Sequence, residues 1–130
     1  MHSESSDTDK IDLSKIEDLL KDSLLQQLTA PVPAGLLLSG GVDSTLLLAL
    51  AKHEGFSLPS FSIVNAPNES TFGTDDYRYA NKAARLYGSE HNEVKVDISI
   101  LNQFDSFIKK MDQPIGDSSY IMTSQICSHA

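Results

Sequence analysis

Leu36-Leu37-Leu38-Ser39-Gly40-Gly41-Val42-Asp43-Ser44-Thr45 is the stretch from which the rest of this chain is read. Its leucines end a short apolar run, Ala34–Leu38, of the kind that makes a buried strand. Two glycines then permit a sharp turn and let the backbone come close to a ligand. Helical periodicity follows over Thr45–Glu54, with Gly55 behind it as a terminator. A strand, a glycine turn and a helix start aim free backbone N–H groups at one point, and the positive end of the helix dipole adds to them. That is an anion site, suited above all to phosphate. Ser39, Ser44 and Thr45 supply hydroxyl donors around it. The lysine of G-x-x-x-x-G-K-[ST] is missing, and so is the spacing of G-x-G-x-x-G. Asp43 is the unusual member. A carboxylate beside a polyphosphate is repulsive unless a cation lies between them, so Asp43 points to Mg²⁺ bridging its side chain and phosphate oxygens. The plainer alternative leaves Asp43 and Ser44 as ordinary first-turn and capping residues.

Outward from this turn, strands and helices alternate. Upstream, Ile16, Leu19, Leu20, Leu24 and Leu28 fall on one helical stripe, with Ser14 and Glu17 spaced as a capping box and Pro31 and Pro33 as the stop. Downstream, Ser60–Val64 reads as a second strand, followed by a polar loop over Asn65–Gly73. A helix over about residues 75–87 turns Tyr77, Ala80, Ala84 and Tyr87 inward and Arg78, Lys82 and Arg85 outward, and Gly88 ends it. Glu93–Val96 reads as a third strand. Asp97 is placed to cap a helix carrying Leu101, Phe104, Ile108 and Met111, and a last helix starts near Ser118 after the break at Pro114 and Gly116. Strands separated by helices imply parallel βαβ units, an α/β fold. Ligands in such sheets sit at the carboxyl ends of the strands, which puts Ser39–Asp43 and Asn65 on one edge.

Length and composition narrow the reading. A chain of 130 residues is one domain, here 11–130, with residues 1–10 as an acidic, disordered lead-in. The formal net charge of −8 argues against nucleic acid as a partner. No apolar run is long enough to span a membrane, and the acidic N-terminus is unlike a signal peptide. The single cysteine, Cys127, lies in an apolar helical stretch and reads as a packing residue in a reducing compartment, so the cytoplasm is the expected location. His53 and His91 lack metal partners at useful spacing and read as structural or solvated. Asp112 and Asp117 flank a Pro-Gly loop and read as turn formers.

Ser39-Gly40-Gly41-Val42-Asp43-Ser44 resembles the pyrophosphate loop of the N-type ATP pyrophosphatases. Within that superfamily the chain resembles the synthetase domain of glutamine-dependent asparagine synthetase, from about Leu13 onward. The likeness is carried by Val32-Pro33-Ala34-Gly35, Phe61-Ser62-Ile63, Asp75-Asp76-Tyr77-Arg78-Tyr79-Ala80, Gly88-Ser89-Glu90-His91-Asn92-Glu93-Val94 and Asp112-Gln113-Pro114-Ile115-Gly116-Asp117-Ser118-Ser119. The resemblance implies a three-layer αβα fold around a parallel sheet, with ATP and Mg²⁺ as cofactors. It implies adenylation of a carboxylate, aspartate foremost, with release of pyrophosphate before amide formation. Ser39, Gly40, Gly41, Asp43 and Ser44 would engage pyrophosphate and Mg²⁺, and backbone groups of Leu38 and Ile63 would hold adenine. The family's glutaminase half, with a cysteine directly after the initiator Met, has no counterpart, since His2 stands there, so ammonia is expected from a separate source. The family's second signature, of Ser-Gly-(Asp/Glu)-Gly-x-Asp-Glu type, and its catalytic lysine lie beyond the region of likeness. The expectation is therefore the first half of a synthetase site, a truncated domain that binds nucleotide and does not turn over alone. Another enzyme of the superfamily, such as a GMP or NAD synthetase relative, and a non-catalytic nucleotide-binding remnant are the alternatives.

Overall fold

The computed structural model describes residues 12–65, 76–96, 102, 104–109, 111–113, 117 and 119–130. The chain divides into two compact units, Met1–Pro31 and Val32–Ala130. In the first, the described part is one helix, α1 (Leu13–Leu28). Its N-cap is Asp12, not the expected Ser14–Glu17 box. The Asp12 carboxylate accepts from Ser14 Oγ at 2.7 Å, Ser14 N at 3.2 Å and Lys15 N at 3.4 Å. A carboxylate two residues earlier meets the orphan N–H groups first and takes the Ser14 hydroxyl with them. Those bonds hold Asp12 below the usual carboxylate range, the Ser14 hydroxyl contributing most. Of the expected stripe Leu24 is buried, while Ile16 and Leu19 are exposed.

The second unit runs β1 (Leu36–Leu37), α2 (Val42–His53), β2 (Ser60–Asn65), α3 (Asp76–Tyr87), β3 (His91–Val96), α4 (Phe104–Ile108) and α5 (Ser119–His129). The strands form one parallel sheet in the order β1-β2-β3, with Leu36 opposite Ser60 and Ser60 opposite His91. β1 is shorter than the apolar run Ala34–Leu38 suggests, although Leu36 N donates to Pro59 O at 2.9 Å and Leu38 N to Phe61 O at 2.8 Å. β3 starts two residues before the expected Glu93, and α2 starts three before Thr45.

Side chains alternate across the sheet and so serve two different cores. On one face Leu38, Leu48, Ala80, Ala83 and Ala84 pack together, joined by Leu36 and Tyr87, which seats α2 and α3 there. On the other, Phe61, Val94 and Ile126 pack with Ile63, which seats α5. Helix, sheet and helix make three layers, the expected αβα arrangement. Three alanines on α3 remove the bulk that would hold it away from the sheet, and Ala80 is fully buried.

Several residues read as inward are exposed, among them Tyr77 on α3. α4 is one short turn and buries Phe107, leaving Phe104 and Ile108 half exposed. Cys127 is exposed and is no packing residue, because α5 turns Ile121 and Ile126 inward and the next position points away. The lead-in 1–10, the loop over 66–73, and Asp97 and Leu101 lie outside the described residues.

Candidate functional site

At the carboxyl end of β1 the chain leaves the sheet through Ser39 and enters α2 with Gly41 as its N-cap (φ −74°, ψ 169°). Among the described residues no side chain caps this end. The first helical bond is Thr45 N to Gly41 O at 3.1 Å, so the N–H groups of Val42, Asp43 and Ser44 face outward from the first turn. Around them the hydroxyls bond to one another: Ser39 Oγ lies 3.0 Å from Ser44 Oγ, Gly41 N donates to Ser39 Oγ at 3.3 Å, and Ser44 Oγ donates to Gly41 O at 3.3 Å. Asp43 is exposed in the same turn. Ser39, Gly40, Gly41, Asp43 and Ser44 are thus gathered within one tight turn at the helix start.

Gly40 has φ +83°, the left-handed region. A Cβ on it would lie 2.3 Å from Asp76 O, 2.9 Å from Ala80 N and 3.1 Å from Tyr79 Cβ. The first turn of α3 is therefore packed directly against the loop. The sequence reading missed this wall. Its trace in the sequence is the glycine pair itself: Gly41, whose φ is ordinary, would present a Cβ only to Ser39 Oγ, at 3.4 Å. The two glycines answer different demands.

Leu38 is 1% exposed, so only its backbone can meet a ligand. Pro59 O and Phe61 O accept from β1, whereas Ser60 N donates to Glu90 O on the opposite side. Alternation along a parallel strand therefore turns the Ile63 backbone to the β1 side, two residues past the last β1–β2 bond. There β1 has already given way to the turn. Leu38 makes the last β1–β2 bond, to Phe61 O, and Ile63 lies two residues further along β2 on the same side.

His91 proves structural. Its Nδ1 lies 2.8 Å from Ser60 Oγ and its Nε2 3.1 Å from Ser62 Oγ, and Ser89 Oγ, 2.8 Å from Ser60 Oγ, donates to Leu58 O at 2.7 Å. This polar network satisfies two buried serines on the α3 face of the sheet. Burial pushes the His91 imidazole below its ordinary value, opposed by the charge of Glu93. His53 contacts Glu54 at 3.1 Å and is exposed.

The asparagine synthase family model matches residues 15–130. The chain belongs to the asparagine synthase family. Asparagine synthetase [glutamine-hydrolyzing] 1 of Bacillus subtilis strain 168 is 26% identical over 117 residues, covering 89% of this chain and 18% of that protein. Among solved structures, the NH3-dependent NAD synthetase from Campylobacter jejuni, in complex with a nitrate ion, superposes with TM-score 0.56 at 21% identity, covering 92% of this chain and 52% of that one. NMN synthetase from Francisella tularensis gives TM-score 0.50 at 18% identity, covering 90% and 48%. The chain thus spans under a fifth of the curated relative and about half of each solved one. These two likenesses are of fold, a parallel sheet between helical layers, as described above.

Proposed function

We propose that this asparagine synthase-family chain supplies the ATP-binding part of a ligase that adenylates a carboxylate, aspartate foremost, and releases pyrophosphate. The observation that carries the reading is the uncapped start of α2, where three outward N–H groups and two hydroxyls converge beside one carboxylate. A helix N-terminus left without a side-chain cap suits an anion that will take its place.

In this reading the N–H groups of Val42, Asp43 and Ser44 and the hydroxyls of Ser39 and Ser44 hold the β and γ phosphates. The backbone at Leu38 and Ile63 meets the adenine edge, a reading supported by their place on the side of the sheet where β1 gives way to the turn. A substrate carboxylate oxygen attacks the α-phosphorus, the bond from that phosphorus to the β-bridging oxygen breaks, and pyrophosphate leaves with the bond's electron pair. Ammonia then displaces AMP from the acyl carbon. The contribution of this chain's turn is to orient the leaving group and receive its growing charge.

Among the described residues no three His, Cys, Asp or Glu side chains gather as a metal-holding group. One exposed carboxylate beside two hydroxyls fits a Mg²⁺ that arrives with the nucleotide, since Mg²⁺ in such sites takes one or two carboxylates and completes its shell with phosphate and water. Asp43 would hold it. When bound, the ion neutralises charge on the departing phosphates.

Titrating the chain with ATP with and without Mg²⁺, then adding aspartate and ammonia and following AMP and pyrophosphate, tests the proposal. Mg²⁺-dependent ATP binding is the expected outcome, and aspartate-dependent pyrophosphate release would extend it to turnover. An absence of ATP binding at millimolar nucleotide refutes it.

A further inference from the structure

The outer surface of α2 and α3, continuous with the glycine turn, carries apolar and basic side chains that the nucleotide reading does not use. A groove of about 470 Å³ runs back from the glycine turn between the two helices. Its walls include Val42 and Leu46 from α2 and Tyr79 and Leu86 from α3, with Val42 81% and Leu86 72% exposed. Monomer surfaces seldom leave large apolar side chains grouped in this way without a partner. Lys82 lines this groove and also a second hollow of about 300 Å³, which it shares with Arg78 and Arg85. Positions 78, 82 and 85 stack on one side of α3. Both arginines of the chain stand there, on a molecule whose formal net charge is −8. Among the described residues no ion pair engages Lys82 or Arg85.

From this juxtaposition we propose that the α2–α3 surface is a docking site for an acidic amphipathic helix of a partner protein. Its apolar side chains enter the groove and its carboxylates meet Lys82 and Arg85. The aliphatic side chains Leu46 and Leu86 favour a polypeptide over a polyphosphate or nucleic acid, which would have no use for them. The basic half sets the sign of the partner, and arginine favours carboxylates through its planar fork. Two 12-residue helices give a groove of about 18 Å, so about three turns of partner helix suffice.

The test uses the full chain and a fluorescein-labelled 14-residue helical peptide with leucines at i, i+3, i+4 and i+7 and glutamates flanking them. Its twin carries lysine for every glutamate. Anisotropy is expected to show the Glu peptide bound at least tenfold more tightly than the Lys peptide, with affinity falling as NaCl rises from about 50 to 500 mM. Lys82→Glu/Arg85→Glu should reverse the preference, and Leu86→Ser should weaken the Glu peptide with native far-UV dichroism retained. Equal binding of the two peptides, or an unchanged preference in the charge-reversed variant, would each overturn the proposal. So would a concentration-dependent dimer that Leu86→Ser abolishes, because a second copy would then own the surface. Nucleotide is absent from every arm, so the result stands apart from the fate of the ATP reading.

Discussion

Replacing Gly40 by alanine tests whether the loop and α3 form one joint. Two costs arise in the folded state. At φ +83° an L-residue pays about 1–2 kcal/mol for the left-handed backbone. The new Cβ would also lie 2.3 Å from Asp76 O and 2.9 Å from Ala80 N, both backbone atoms of a helix whose next turns are locked into the core by Ala83 and Ala84. Relief requires α3 or the loop to retreat by a sizeable fraction of an ångström, and overpacking of this kind costs about 1–3 kcal/mol. A loss of about 2–5 kcal/mol is therefore expected, a large share of the ~5–15 kcal/mol that holds a domain together. Two other glycines separate the contributions. Gly55 has φ +86° and nothing within 4 Å of a built Cβ, so Gly55→Ala isolates the backbone cost. Gly41 has an ordinary φ and only Ser39 Oγ nearby, so Gly41→Ala should leave stability almost unchanged. Urea unfolding followed by circular dichroism reads all three. With a slope of about 1–3 kcal/mol per molar, Gly40→Ala should lower the midpoint by about 1 M or more. If it unfolds no earlier than Gly55→Ala, α3 is not seated on the loop and the account of the turn fails.

Asp43→Asn should keep the fold and abolish the Mg²⁺ dependence of ATP binding measured by isothermal titration; unchanged dependence would remove Asp43 from the metal's shell. Ser39→Ala and Ser44→Ala touch exposed hydroxyls that bond chiefly to each other, so each should cost under about 1 kcal/mol in urea, yet ATP affinity should fall about tenfold, since hydrogen bonds to charged groups are worth ~1.5–3 kcal/mol. His91 titrates below its ordinary value because burial penalises the cation, so the unfolded chain binds the proton first; stability is present above pH ~6.5 and is lost as pH falls through the folded-state value. The melting temperature should fall between pH 7.5 and 5, less steeply in His91→Gln, and parallel slopes would show that other groups govern the acid limb. Exposed Cys127 should react at once with a thiol reagent in the native chain, and Cys127→Ser should shift stability by no more than about 0.5 kcal/mol.

What was legible in the sequence came from periodicity and from glycine. The alternation of apolar runs with helical stripes was enough for parallel strands and flanking helices, because both patterns are local. Gly55 and Gly88 mark helix ends, and both hold positive φ. The misreadings arose where a local signal competed with something not local. Ser14 and Glu17 have capping-box spacing, but Asp12 stands two residues nearer the chain start and its carboxylate is the stronger acceptor. Phe104 and Ile108 share a helical stripe only if the helix is long enough for the stripe to matter, and α4 has five residues. Cys127 follows the buried Ile126, and the weak apolar periodicity of α5 does not say which neighbour faces the sheet. His91 could be placed near a strand start, yet its role depends on Ser60 and Ser62, 31 and 29 residues away, which only the strand register brings to it.

The glycine turn is where fold and chemistry meet, and the two glycines divide the work. Gly40 faces inward: its missing Cβ is the space that Asp76 and Ala80 occupy, so the position serves the packing of α3. Gly41 faces outward: its missing Cβ leaves the approach to the first turn of α2 open, beside Ser39 and Ser44. A turn held from behind by a second helix does not need a ligand to keep its shape. Donors fixed before an anion arrives lose little on binding it, which under the proposed function leaves their interaction for the charge that grows as pyrophosphate departs. The corollary separates the two residues experimentally. Gly41→Ala should weaken ATP binding in a chain of native stability, whereas any loss of binding in Gly40→Ala should follow its loss of stability and be relieved at lower temperature or by an osmolyte that favours the folded state.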